Sequence, residues 1–354
     1  MTQQGSMTHI TKVNSDTLPP HRLKSRPIWR ENRSEQRYPR YAPMTMKFLL
    51  PDLTGKVALV GGATSGIGKG IAYVLACLHA DVGVLARNER LGLEVVEDLR
   101  RINPNGTYEM ILCDASSMKS IQTACSDFNT KFSKLNYLVM SQGIANLNGR
   151  TETSEGIDTK MALHYYGRMN FITQLSPVLR KTAETEEVRV ASVLGLLAPY
   201  INLKDLSLKD NYSLHNVASA TGLYNDLAVD QLSRDFAGPT AQNISFLHVS
   251  PGGINSNWGN DFPAPLRLLV KVAQYFVGRD PQDYGKMFVE KGLLSEEFGG
   301  GGRGGSNGDV GGEDKGDTSG NKVCAAQRAG WHHLTPSGTK GTVTALHNYL
   351  HREA

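Results

Sequence analysis

From residue 56 onward the apolar residues arrive in two alternating rhythms. Short runs of strand length recur: "KVALV" (56–60), "DVGVLA" (81–86), "YEMILCD" (108–114), "LNYLVMSQG" (135–143), "EVRVASV" (187–193) and "NISFLHVSPG" (243–252). Between them the apolar positions follow helical spacing. Ile67, Ile71, Val74, Leu75 and Leu78 follow the first run, and "GLEVVEDLRRI" (92–102) follows the second. This alternation predicts an α/β fold: a single Rossmann-like, doubly wound parallel sheet with helices on both faces. "PAPLRLLVKVAQYFVG" (263–278) predicts a further helix with Leu266, Leu269, Val270, Ala273 and Val277 on one face. An ordinary core-facing helix explains that face. The chain shows no internal repeat.

Both ends depart from this pattern. Residues 1–46 are polar, rich in Pro and Arg, and carry no apolar period, so they read as a disordered basic extension. Met44 and Met46 just before the periodic sequence raise the expectation that the extension is dispensable. The periodic part, 47–298, reads as one nucleotide-binding domain. Residues 299–322 hold eleven glycines, so 299–325 reads as a flexible insertion and 326–354 as a C-terminal segment packed on the domain.

Charge and cysteine content narrow the function classes. Residues 1–50 carry nine Lys/Arg against three Asp/Glu, an excess of six, while the whole chain has a formal charge of +4. The remainder is therefore close to neutral, at 4 − 6 = −2, which argues against nucleic-acid binding by the folded part. Cys77, Cys113, Cys125 and Cys324 lack metal-site spacing and read as free thiols in a reducing compartment. No metal site is expected. No apolar run approaches the ~20 residues of a membrane span, and no signal-peptide core opens the chain. A cytoplasmic location is expected, with the sequons at Asn105, Asn211 and Asn243 unused.

Chemistry concentrates at the strand ends. "VALVGGATSGIG" places Gly62, Ser65, Gly66, Ile67 and Gly68 between a strand and a helix. Glycines there permit a sharp turn, a close backbone approach to a pyrophosphate, and tight packing of helix on strand. The second strand ends "VLARNER", with Ala86 where an acidic reader of a free ribose 2′-hydroxyl would stand and Arg87 next to it. A carboxylate would repel a 2′-phosphate, whereas arginine can grip one with two hydrogen bonds. NADP(H) is the expected cofactor.

The glycine spacing of "GGATSGIG" resembles the TGxxxGIG fingerprint of classical short-chain dehydrogenases/reductases, with Gly61 in place of the threonine. The similarity covers roughly residues 53–298, and "GRTETSEGIDTKMALHYYGRM" looks like segments of a fungal group of that family. The resemblance implies that Asp114 holds the adenine ring. It implies that "MSQG" (140–143) stands for NNAG, keeping only Gly143, and that Pro251 and Gly252 form the turn beside the nicotinamide, with Ser256 near the family's threonine. It assigns Ser192, in "ASVLG", to the serine that polarises a carbonyl oxygen. Tyr212, in "NYSLHNVAS", is assigned to the proton-donating tyrosine, after the insertion "LLAPYINLKDLSLKD"; Tyr224 is a weaker rival.

Two partners of that chemistry are replaced. Asn216 stands where the family has its lysine, and His164, in "HYYG", stands where it has the relay asparagine. Lys209 is an alternative source of charge or a solvated surface lysine. An unperturbed tyrosine is only about one part in a thousand ionised at pH 7. Loss of the lysine therefore damages alcohol oxidation, which needs a phenolate, more than carbonyl reduction. The expected activity is NADP(H)-dependent reduction of a carbonyl; the resemblance, in which the region of 263–278 covers the substrate, implies a small apolar metabolite, as an alternative to a core-facing helix there, and a place in fungal secondary metabolism. The alternative is a catalytically impaired NADP-binding protein acting as a regulator or assembly partner. Resemblance also implies a homodimer or homotetramer through the helices after the fourth and fifth strands.

Overall fold

In the computed structural model, residues 50–195, 197–236, 243–252, 254–255, 259 and 262–295 are described. The basic extension, the glycine-rich insertion, the C-terminal segment, Cys324 and Ser256 lie outside them.

All six expected strands form. They are β1 (Val57–Gly61), β2 (Asp81–Ala86), β3 (Tyr108–Leu112), β4 (Tyr137–Met140), β5 (Val188–Val193) and β6 (Ile244–Val249). Every neighbouring pair is parallel, in the order β3-β2-β1-β4-β5-β6. The helices that return the chain are α1 (Gly66–Cys77), α2 (Glu89–Ile102), α3 (Met118–Lys131), α4 (Gly167–Ala183) and α5 (Leu214–Asp235). α6 (Ala264–Val277) and α7 (Pro281–Phe288) follow β6. The order reverses between β1 and β4, so a crevice opens where their carboxyl ends diverge.

Strand alternation sends side chains to both faces. Ala58, Val60, Val82, Val84 and Val139 pack with Ile71 and Leu75 of α1 and Tyr284 and Phe288 of α7. Val57, Leu59, Leu138, Met140, Val188 and Val190 pack on the other face with Phe128 of α3 and Phe171 and Leu175 of α4. α1 and α7 meet where a Cβ on Gly70 would lie 2.4 Å from the Pro281 carbonyl oxygen. That contact fixes the helix behind the glycine turn.

Most of the described part of α6's apolar stripe is not buried. Leu266, Leu268, Leu269, Val272 and Tyr275 are exposed, and among its described side chains only Gln274 is buried. The core-facing explanation of that helix is thereby overturned. Cys77, Cys113 and Cys125 are buried free thiols. Among the described residues no helix is long and apolar enough to cross a membrane, and no cluster of metal-ligating side chains occurs.

Candidate active site

The glycine turn has the shape its sequence predicts. Gly62 has φ +74°, the left-handed region that favours glycine. A Cβ on Gly68 would fall 2.5 Å from both the Gly62 carbonyl oxygen and Ser141 Oγ, so the helix start and the strand end touch there. Ser65 is the N-cap of α1 and makes no side-chain capping bond, and no acidic residue stands in the first turn. The N–H groups of Gly66, Ile67 and Gly68 thus face an open helix N-terminus without intrahelical partners. This donor set fits the pyrophosphate of a dinucleotide.

Gly61, at the end of β1, has a counterpart across the crevice. A Cβ there would lie 2.5 Å from Gln142 Oε1, so the Gln142 side chain takes up the room the glycine leaves. Both amide atoms of Gln142 are buried without a hydrogen-bond partner. Ser141 Oγ donates to the Gly61 carbonyl oxygen at 2.7 Å and ties the ends of β1 and β4 together.

The remaining cofactor candidates sit around the same rim. Arg87 is exposed and directly follows β2, ahead of Asn88, which caps α2 by accepting from the Leu91 N–H. Asp114 lies just past β3, and its Oδ1 accepts from the Ser116 N–H and hydroxyl. Gly143 follows β4, where a Cβ would come within 3.1 Å of His164 Nε2. Pro251 and Gly252 follow β6, and Gly252 has φ +69°.

His164 belongs to a π-helical turn, Ala162–Tyr166, that leads into α4. Its Nε2 accepts from the Ile144 N–H at 3.1 Å, which leaves any ring proton on Nδ1. Burial first, then the charges of Arg168 and Lys160, push its pKa down to about 3. The imidazole is therefore neutral at ordinary pH. The unfolded chain binds a proton here that the folded chain does not, from about 3 up to the ordinary 6.5. Stability at this site falls as pH drops through that window. His164→Asn is expected to lose less stability than the wild type between those limits in urea unfolding; equal losses would refute it.

Ser192 is the last residue but one of β5 and is buried. Its Oγ donates to Asn225 Oδ1 of α5 at 2.7 Å and accepts from Arg168 Nη1 of α4 at 2.6 Å. Asn225 Nδ2 in turn donates to the His164 carbonyl oxygen at 2.8 Å. Neither Arg168, Asn225 nor Gln142 stood out in the sequence reading. The signal was available, because Arg168 is in helical phase with the buried Phe171, Ile172, Leu175 and Leu179. Asn225 shares a stripe with Val217, Thr221 and Val229.

Tyr212 makes no hydrogen bond in this network. Ser213 caps α5 through the Asn216 N–H, so Tyr212 precedes the helix. The four-residue spacing to Asn216 consequently does not put the two on one helical face. Asn216 Nδ2 turns back to donate to the Asn211 carbonyl oxygen at 2.8 Å. The Tyr212 ring packs with Met161, Leu208, Val217 and Tyr224, and its hydroxyl is buried without a hydrogen-bond partner. No hydrogen bond therefore joins it to Ser192 or Asn216. Burial, followed by the Asp158 carboxylate, pushes its pKa up to about 12. The cation over its ring is Lys160, with Nζ 5.9 Å from the centroid, while Lys209 is exposed. Tyr224 donates its hydroxyl to the Leu206 carbonyl oxygen at 3.1 Å.

Comparison with known proteins finds dehydrogenases and oxidoreductases. The family model described as short chain dehydrogenase matches residues 56–204. Oxidoreductase AN1596 of Emericella nidulans is 38% identical over 222 residues, covering 61% of this chain and 63% of its own length. The NmrA-like family domain-containing oxidoreductase notO of an Aspergillus species is 34% identical over 209 residues, covering 56% of this chain and 60% of its own. The chain thus spans less than two thirds of the length of these relatives. The Pseudomonas aeruginosa RhlG/NADP active-site complex shares the fold, with a TM-score of 0.55 at 18% identity, covering 70% of this chain and 92% of that one.

Proposed function

We propose that this chain, which belongs to the short-chain dehydrogenase family, is an NADP(H)-dependent oxidoreductase that reduces the carbonyl of a small apolar metabolite. One observation carries the reading. The glycine turn after β1, Arg87 after β2, Asp114 after β3, Gly143 after β4, Ser192 near the end of β5 and Pro251–Gly252 after β6 all lie at the carboxyl ends of one parallel sheet. That rim, at the point where the strand order reverses, is where such sheets bind nucleotides.

The roles follow from the chemistry of each group. The open N-terminus of α1 holds the pyrophosphate, and Asp114 holds the adenine end. Gly143, Pro251 and Gly252 let the backbone approach the nicotinamide end. A bound reduced nicotinamide supplies the hydride. Ser192 orients and polarises the carbonyl oxygen, and Tyr212 gives the proton. With its pKa near 12, Tyr212 stays protonated at any working pH, which suits reduction and disfavours alcohol oxidation. The tyrosines packed around it support an apolar substrate. The fungal oxidoreductases among the relatives support a place in fungal secondary metabolism.

Cofactor choice rests on Arg87. A guanidinium on a 2′-phosphate makes charge-assisted hydrogen bonds worth about 1.5–3 kcal/mol, or roughly 10- to 150-fold in affinity. Fluorescence titration should show NADPH binding tighter than NADH by about that factor. Arg87→Ala should erase the difference by weakening NADPH alone. Equal affinities in the wild type would remove the assignment.

A second reading, nucleotide binding without turnover, is favoured by the Ser192 hydroxyl being engaged by both Asn225 and Arg168. Tight NADPH binding with no oxidation of NADPH across a broad panel of aldehydes and ketones would select it.

A further inference from the structure

Arg168 is fully buried, and every hydrogen bond it makes goes to a neutral group. Nη1 donates to Ser192 Oγ and, at 3.0 Å, to the Val193 carbonyl oxygen. Nη2 donates to the Gln142 carbonyl oxygen at 2.7 Å, and Nε reaches the Leu163 carbonyl oxygen at 3.4 Å. Among the described residues no carboxylate pairs with it. Burial pulls its pKa down to about 9, which still leaves it charged near neutral pH.

An unpaired guanidinium in the interior is costly. A tie between the ends of β4 and β5 does not explain the expense, because a neutral amide bonds to carbonyls and hydroxyls without carrying charge. What the charge does is place a fixed positive field at the strand ends. Asn216, in the sequence position of the lysine, contributes none and is bonded back to Asn211.

We propose that Arg168 is the positioning residue that supplies positive charge beside Ser192, holding it by its Oγ and favouring the neutral reduced nicotinamide over the cationic oxidised one. The inference rests on the nucleotide reading above and adds a determinant of redox-state preference to it. NADP⁺ and NADPH carry the same phosphates and differ by one positive charge on the ring. At an effective dielectric of ~20, a fixed unit charge opposing the ring cation is worth an effect on the order of tenfold.

The test is calorimetric titration with NADP⁺ and with NADPH, which needs no substrate. The wild type should bind NADPH about tenfold more tightly than NADP⁺. Arg168→Met should bring the two affinities together, and Arg168→Lys should keep most of the gap. Asn225→Asp keeps the side-chain shape and sets a carboxylate one hydroxyl away from the guanidinium. It should also close the gap, and it decides the matter if Arg168→Met does not fold. A merely structural tie would weaken both nucleotides alike and leave the ratio unchanged in both variants; that result, or a wild-type ratio of one, overturns the proposal. A wild type that binds neither nucleotide overturns the nucleotide reading itself and this inference with it, a result distinct from an unchanged ratio.

Discussion

Tyr212→Phe is expected to lower carbonyl reduction by about a hundredfold or more, the scale of a lost general acid, while NADPH affinity stays unchanged. Thermal stability should not fall. The hydroxyl is buried without a partner, and removing an unsatisfied buried donor is neutral to stabilising. That combination separates catalysis from packing. A tyrosine kept only for the cluster of Met161, Leu208, Val217 and Tyr224 would give a variant with full turnover. Wild-type reduction should be flat with pH across the neutral range, because a phenol pushed up to about 12 remains protonated throughout. Alcohol oxidation should instead climb with pH toward that value. Reduction that already collapses between pH 7 and 9, in stable protein, would remove Tyr212 from the donor role.

The strand runs were legible because most are apolar on both faces and bounded by glycine or polar turns, which leaves few alternative pairings. The glycine turn was legible for a similar reason: its residues answer to local backbone geometry, as the φ of Gly62 and the close approach at Gly68 demonstrate. The helix start at 214 was not legible. Tyr212 and Asn216 have the spacing of a helical pair, but Ser213 wins the N-cap and leaves the tyrosine outside. The long loop before it is anchored by Asp205, whose carboxylate accepts from the N–H groups of Lys209, Asp210 and Asn211. Pattern reading tracks periodicity and does not see such a loop choose its own end. Arg168 was overlooked for a different reason. A charge on an apolar helical stripe reads as surface unless its phase with Phe171 and Leu175 is checked, and the partners Ser192, on β5, and Gln142, just past β4, are far away in sequence.

Ser192→Ala tests the other half of the chemistry and is expected to cost about 10²- to 10³-fold in turnover, the range for removing one donor to a developing oxyanion. NADPH affinity should be unchanged, since the proposed cofactor contacts lie on other strand ends. Stability should fall, in contrast to Tyr212→Phe. The hydroxyl is both donor to Asn225 and acceptor from Arg168, and each would be left one partner short at a cost of about 1–3 kcal/mol. Ser192→Thr restores the hydroxyl and should recover the stability in part. If Ser192 only joins β5 to α4 and α5, turnover in Ser192→Ala will track the folded fraction and return on cooling. If it polarises the substrate, the loss persists in fully folded protein at low temperature. Persistence of wild-type turnover under those conditions would make Ser192 a structural hydroxyl and shift the reading to nucleotide binding without carbonyl chemistry.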